Sequence, residues 1–132
     1  STYCTYTSPP TGILPASPLI QRLSSKDERL RRFSEGFFGT VYDEVFAAIV
    51  NGAIASAAVS SREDDASAEI WIHTLPEYRR HGLATQAAAA WFRSVTRRGL
   101  TPFYSHEKSN DASRRLAETL QLRPCFVLTC YP

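Results

Sequence analysis

The chain predicts a mixed α/β (α+β) fold, a central mixed sheet with helices on both faces, and three observations carry that reading. Asn51-Gly52 lies between two apolar runs, Val45 to Val50 and Ala53 to Val59. Asn-Gly in that setting specifies a hairpin, because a type I′ turn needs positive φ at both central residues. Leu83, Ala87, Trp91 and Val95 recur four apart, and Ala84, Ala88 and Phe92 widen the same face, which is the stripe of a long amphipathic helix. From residue 70 onward short apolar runs alternate with helical patterns, so a hairpin meander runs into a βαβαβ half. With 132 residues, 43% of them hydrophobic, the chain has enough material for one core and is read as a single domain, 1–132.

The elements follow in order. Residues 1–18 carry Pro9, Pro10, Pro15 and Pro18 among Ser and Thr, and read as a flexible or irregular arm. Apolar positions 19, 20, 23, 30 and 33 fit one modest helix from Leu19 to Phe33. Gly36 and Gly39 break the pattern around Phe37 and Phe38, and the hairpin follows. Ser61 to Ser67, with four consecutive charges, reads as a solvated loop. Ile70 to Thr74 is the next strand and Gly82 to Arg98 the long helix. Arg97 and Arg98 sit before Gly99, where cations complement the helix dipole. Thr101 to Ser105 is a short strand, and Asn110 to Leu120 a second helix with Ala112, Leu116 and Leu120 on one side. Phe126 to Tyr131 closes the chain as a strand.

Composition excludes several classes. A net charge of +2 is too small to argue for nucleic acid, and the arginines are spread over separate elements mostly as solvated helix faces, with a nucleic-acid-associated basic domain the weakest reading. No apolar run approaches the roughly 20 residues that span a bilayer, and no signal peptide opens the chain. The cysteines, Cys4, Cys125 and Cys130, are odd in number and lack metal-ligand spacing, so the reading is reduced, cytoplasmic and without a metal.

Residues 69–85 say most about chemistry. The strand ends at Thr74, a Pro-bearing turn follows, and Arg79-Arg80-His81-Gly82-Leu83-Ala84 opens the long helix. Free N–H groups of a first helical turn, the macrodipole, flanking arginines and a glycine together make a phosphate-binding arrangement. The segment resembles the cofactor signature of the GNAT superfamily of acyl-CoA-dependent N-acyltransferases, whose fixed positions Arg79, Gly82 and Ala84 fill. That family also places an Asn at the start of the helix after the next strand, with a small residue three later and a Leu six later. Asn110, Ser113 and Leu116 match, and the resemblance covers residues 44–131.

The resemblance implies a GNAT-like fold with acetyl-CoA, or another acyl-CoA, as co-substrate. Ile72, His73 and Thr74 would lend backbone groups to the pantetheine arm where their strand splays from its neighbour. The N–H groups of Arg80, His81, Gly82, Leu83, Ala84 and Thr85 would cradle the pyrophosphate, with the charge of Arg79 and Arg80 beside it. Asn110 would bond the pantetheine or sulfur end, with Ser113 lining the same channel. Glu69, in Ala68-Glu69-Ile70, matches a segment in which some histone-type members carry the general base. His73, His106 and Glu107 are the alternatives.

Three departures stand out. Many members carry a Tyr seven residues after the Asn, the acid for the departing thiolate; here it is Ala117, and Tyr104 is the substitute. The helical region before the hairpin is abbreviated. So is the C-terminal strand pair, which leaves a sheet edge near Phe126 to Tyr131 for a second subunit or the Pro-rich arm to cover. The implied function is acetyl transfer to a primary amine of a small molecule or peptide by direct attack in a ternary complex. A non-catalytic acyl-CoA-binding sensor or regulatory domain is the alternative.

Overall fold

Seven strands form one sheet in the order β2-β3-β4-β5-β6-β1-β7 in the computed structural model, which describes residues 2–9, 12, 17–33 and 44–129, the last four by backbone. The elements are β1 (Thr2–Thr7), β2 (Ile20–Ser24), α1 (Glu28–Phe33), β3 (Glu44–Val50), β4 (Ala53–Glu63), β5 (Ser67–Thr74), α2 (Leu83–Arg97), β6 (Thr101–Glu107), α3 (Asp111–Thr119) and β7 (Arg123–Thr129). The hairpin stands as expected: Asn51 and Gly52 take φ of 51° and 78°, and β3 pairs with β4 across them.

Alternation along the central strands sorts their residues to two faces. Phe46, Ala58, Ala68 and Ile70 pack against Trp91 and Phe92 of α2 and Ala117 of α3. Val45, Ala47, Ala57 and Val59 pack against Leu30 and Phe33 of α1. Helices therefore cover both faces. The run Ala87-Ala88-Ala89 is buried against a sheet face that presents alanines, Ala58 and Ala68, beside Phe46 and Ile70, and α2 lies over β3 and β4. Trp91, 1% exposed, donates its indole N–H to Ser60 Oγ at 2.9 Å. Trp91→Phe is expected to cost about 1–3 kcal/mol, since the hydroxyl loses a buried partner while an aromatic ring remains. Denaturant titration checks this, and Ser60→Ala should recover part of the loss in the double variant.

Two expectations are corrected. The arm assigned to residues 1–18 contains a strand: β1 is inserted between β6 and β7 and runs antiparallel to both. Its sequence, Thr-Tyr-Cys-Thr-Tyr-Thr, is aromatic or β-branched at every position but Cys4, and that propensity prevails over the prolines that follow. It fills the place beside the single C-terminal strand, so β7 is one edge of the sheet and β2 the other. The helix expected from Leu19 to Phe33 is instead β2 followed by the six-residue α1. Asp27 accepts the Arg29 N–H at 3.0 Å and starts α1, while β2 zips onto β3 with Ile20 opposite Ala48. Helical spacing at 19, 20 and 23 was coincidental.

Smaller shifts follow the same logic. The loop at 61–67 shrinks to a turn, because β4 runs to Glu63 and Asp64 Oδ1 accepts the N–H groups of Ala66 and Ser67 at 2.8 and 2.7 Å. β6 extends to Glu107, which puts His106 in the sheet. On α3 the buried positions are Ala117 and Leu120, with Ala112 exposed. The Phe37-Phe38 loop, Cys130 and Tyr131 lie outside the described residues. Among those described, no helix is long and apolar enough to cross a membrane.

Candidate functional site

Parallel strands β5 and β6 pair only through Ser67–Thr101, Ala68–Pro102 and Glu69–Phe103. Beyond Glu69 the two separate. β5 stays bound to β4 on its other side, with Ile72, His73 and Thr74 opposite Ala58, Ala57 and Ser56. Ser56 Oγ fastens that end, 2.8 Å from Thr74 Oγ1 and donating to the His73 carbonyl at 3.2 Å. β6 is held from behind by β1, Tyr104 opposite Tyr6 and Ser105 opposite Thr5, whose hydroxyls lie 2.9 Å apart. A gap between two braced strands results, and alternate peptides of β5 turn their N–H and C=O groups into it. Groups so placed can pair with an extended ligand that carries its own amides.

The turn to α2 stands at the open end of β5. Arg80 and Gly82 are both left-handed, with φ of 67° and 73°, and Gly82 caps the helix without a side-chain bond. The first helical bond runs from the Gln86 N–H to the Gly82 carbonyl at 3.2 Å. The N–H groups of Leu83, Ala84 and Thr85 thus lack partners in the helix and point away from it. Arg79, Arg80, His81 and Gly82 are exposed around them. Leu83 contributes only its backbone, because its side chain is buried with Ala48 and Ala55. A Cβ at Gly82 would meet nothing nearer than Gln86 Nε2 at 4.0 Å, so the conformation and not crowding demands glycine.

Glu69, Trp71 and His73 share the face that α1 covers. Glu69 sits at the last paired position before the gap and holds an ion pair with Arg62 at 3.3 Å. His73 stacks on Trp71, ring centres 5.8 Å apart, and meets Phe33 edge-on at 5.3 Å. Burial, with the nearby Arg79 charge second, lowers its pKa below the usual 6.5. The folded chain therefore binds fewer protons there than the unfolded chain does. The stabilising contribution is full above about 6.5 and is lost as pH falls toward the lowered folded value. Melting temperature should decline over that window in the wild type, and less in His73→Phe; equal slopes would rule the assignment out.

On the other face, Tyr104 is 7% exposed beneath α3. Burial raises its pKa and a hydrogen bond with Ser113 opposes the rise, so the phenol stays protonated near neutrality. Ser113 in turn gives its N–H to Asn110 Oδ1 at 3.0 Å. Asn110, Ser113 and Tyr104 thus converge, although Asn110 spends its carbonyl capping α3 and offers only its amide NH₂ outward. His106 is not brought to the gap's charged face. It is buried in a stack with Tyr6, with Nε2 3.1 Å from the Tyr6 hydroxyl and Nδ1 2.7 Å from the Glu107 carbonyl, the geometry of a packing histidine. Glu107 is exposed and accepts from the Tyr3 hydroxyl at 3.3 Å.

Two residues escaped the reading of the sequence. Arg62 partners Glu69 across a register shift in β4 that no pattern announces. Gln86 has a buried Oε1 without a hydrogen-bond partner, one turn into α2 beside Gly82. A lone amide in an otherwise alanine face was the available signal.

Residues 16–131 match the profile of the GNAT acetyltransferase family. The chain belongs to that family. Solved GNAT structures share its fold. A GNAT-family protein from Novosphingobium aromaticivorans DSM 12444 is 20% identical with a TM-score of 0.77, over 96% of this chain and 61% of the other. A GCN5-related N-acetyltransferase-like protein from Streptococcus suis 89/1591 gives 21% and 0.67, over 96% and 59%. A GNAT-family acetyltransferase from Colwellia psychrerythraea gives 16% and 0.75, over 93% and 52%. The chain thus spans about 60% or less of the length of these GNAT structures. No curated protein matches it.

Proposed function

We propose that the chain is an N-acetyltransferase that binds acetyl-CoA, or another acyl-CoA, along the β5–β6 gap and transfers the acyl group to a primary amine by direct attack. The observation that carries this reading is the left-handed turn into α2, capped by Gly82 with no side-chain bond, standing at the open end of two strands that part after Glu69. The N–H groups from Arg80 to Thr85, with Arg79 and Arg80 beside them, suit a pyrophosphate. The peptide groups that the Ile72–Thr74 segment turns toward the gap, together with the Asn110 amide, suit the amides of a pantetheine arm. When bound, the thioester supplies the activated acyl group.

The remaining work falls to side chains. Glu69 takes the proton of the acceptor amine, with Arg62 at 3.3 Å orienting the carboxylate. Tyr104 gives its phenolic proton to the leaving thiolate, whose ordinary pKa near 8.5 makes that help modest. The acceptor, a small molecule or peptide, is placed on the face of Glu69, Trp71 and His73. A cytoplasmic setting and self-association through the β7 edge complete the proposal, and sedimentation tests the latter.

A melting-temperature titration with acetyl-CoA, followed by free-thiol release over pooled amines, tests the whole. At a hundredfold excess over the dissociation constant, binding adds about 2.7 kcal/mol. No shift at millimolar ligand would remove the reading. A shift without thiol release over any amine would favour the sensor, for which Ala117 in place of the family's tyrosine already speaks.

A further inference from the structure

At the end of α2 away from the turn, an open recess of about 390 Å³ lies between the helix and strands β2 and β3. Its floor is apolar, formed by Ile20, Phe46 and Ala90. Its rim is cationic: Arg22 comes from β2, Arg93 and Arg97 from α2, and Arg98 from the helix cap. Among the described residues one lining carboxylate, Glu44, faces these four guanidinium groups. It is already engaged, Oε1 by Arg22 at 3.2 Å and Oε2 by the Ser94 hydroxyl at 2.8 Å. Arg98 forks onto Glu63 at 2.9 and 3.1 Å. Among the described residues Arg97 has no ion-pair partner.

The helix dipole explains cations at the α2 C-terminus, so Arg97 and Arg98 alone would signify little. It does not explain Arg22, which a different element carries to the same rim. Nor does it explain an apolar floor beneath the charges. A concave, low-dielectric surface ringed by one sign of charge concentrates potential inside it, and the volume lies in the range of small-ligand sites.

We propose that this recess binds a small amphipathic anion. An aromatic or branched aliphatic body would lie on Ile20, Phe46 and Ala90, and a carboxylate or phosphate group would meet Arg97 and Arg22. The site is separate from the turn at residues 79–85 and does not depend on the acyltransferase reading.

Phenyl phosphate, benzoate and benzylamine, titrated into the ¹⁵N-labelled full chain and followed by amide shifts, test it. One or both anions should give saturable shifts at residues 20–22, 44–46 and 90–98, and the two anions distinguish the headgroups. Affinity should fall with added salt. Arg22→Ala and Arg97→Ala should each weaken binding about tenfold, as expected for a lost charge-assisted bond. Both side chains are exposed, so the fold should survive, which an unchanged spectrum away from the recess verifies. The proposal is overturned by shifts confined to residues 79–85, by equal shifts with benzylamine, by the absence of saturation with either anion, or by unaltered affinity in the double variant.

Discussion

Glu69→Gln is expected to lower turnover by about 10²- to 10⁴-fold, the usual contribution of a positioned general base. The side chain keeps its shape and Ser61 still donates to the Glu69 carbonyl, so acyl-CoA binding should be unchanged. The rising acid limb of the wild-type rate should vanish with the carboxylate. Arg62→Ala serves as the control: it removes the partner but keeps the base, so the limb should persist. His73 is the competitor on the same face. Its lowered pKa leaves it neutral and able to accept a proton at pH 7, with a limb ending below 6.5. Loss of the limb in His73→Gln, with Glu69→Gln still fully active, would transfer the role to the histidine.

Gly82→Glu should abolish the stabilisation by acetyl-CoA, the whole of the roughly 2.7 kcal/mol expected at a hundredfold excess. The variant sets a negative charge where the free N–H groups of α2 converge, and forces a residue with a Cβ to φ 73°, at about 1–2 kcal/mol. Gly82→Asn separates these causes. Asn tolerates the left-handed region, and a Cβ there meets no crowding, so this variant should retain most of the thermal shift. If Gly82→Glu kept a full shift, the pyrophosphate would have to bind elsewhere.

Much of the frame was legible because local physics dictated it. Asn51-Gly52 admits few conformations besides the hairpin, and the stripe from Leu83 to Val95 is long enough that helix period and strand period cannot be confused. The shape of the turn at 79–85 was readable for the same reason, being set by local backbone geometry. What escaped depended on partners distant in sequence. β1 is a strand only because β6 and β7 present edges to it. The Ser113–Tyr104 contact exists only once α3 lies over β6. At residues 19–33 a short strand and a short helix together imitate a longer amphipathic pattern, and only Asp27 at the α1 start hinted at the division.

The position of β1 also bears on the order in which the site comes into being. Tyr3 and Glu107 stand 104 positions apart, yet their strands are neighbours. The ribosome therefore releases β1 well before β6 and β7 and leaves it waiting for both of its neighbours. The hairpin, β5 and α2 can assemble from nearby segments, but β6 has nothing behind it until β1 closes that long loop. One wall of the gap is thus finished only after β6 has been made, so the turn into α2 takes shape before both walls stand. Until then β1 remains an aromatic, unpaired segment, the kind of exposed strand that is prone to associate wrongly.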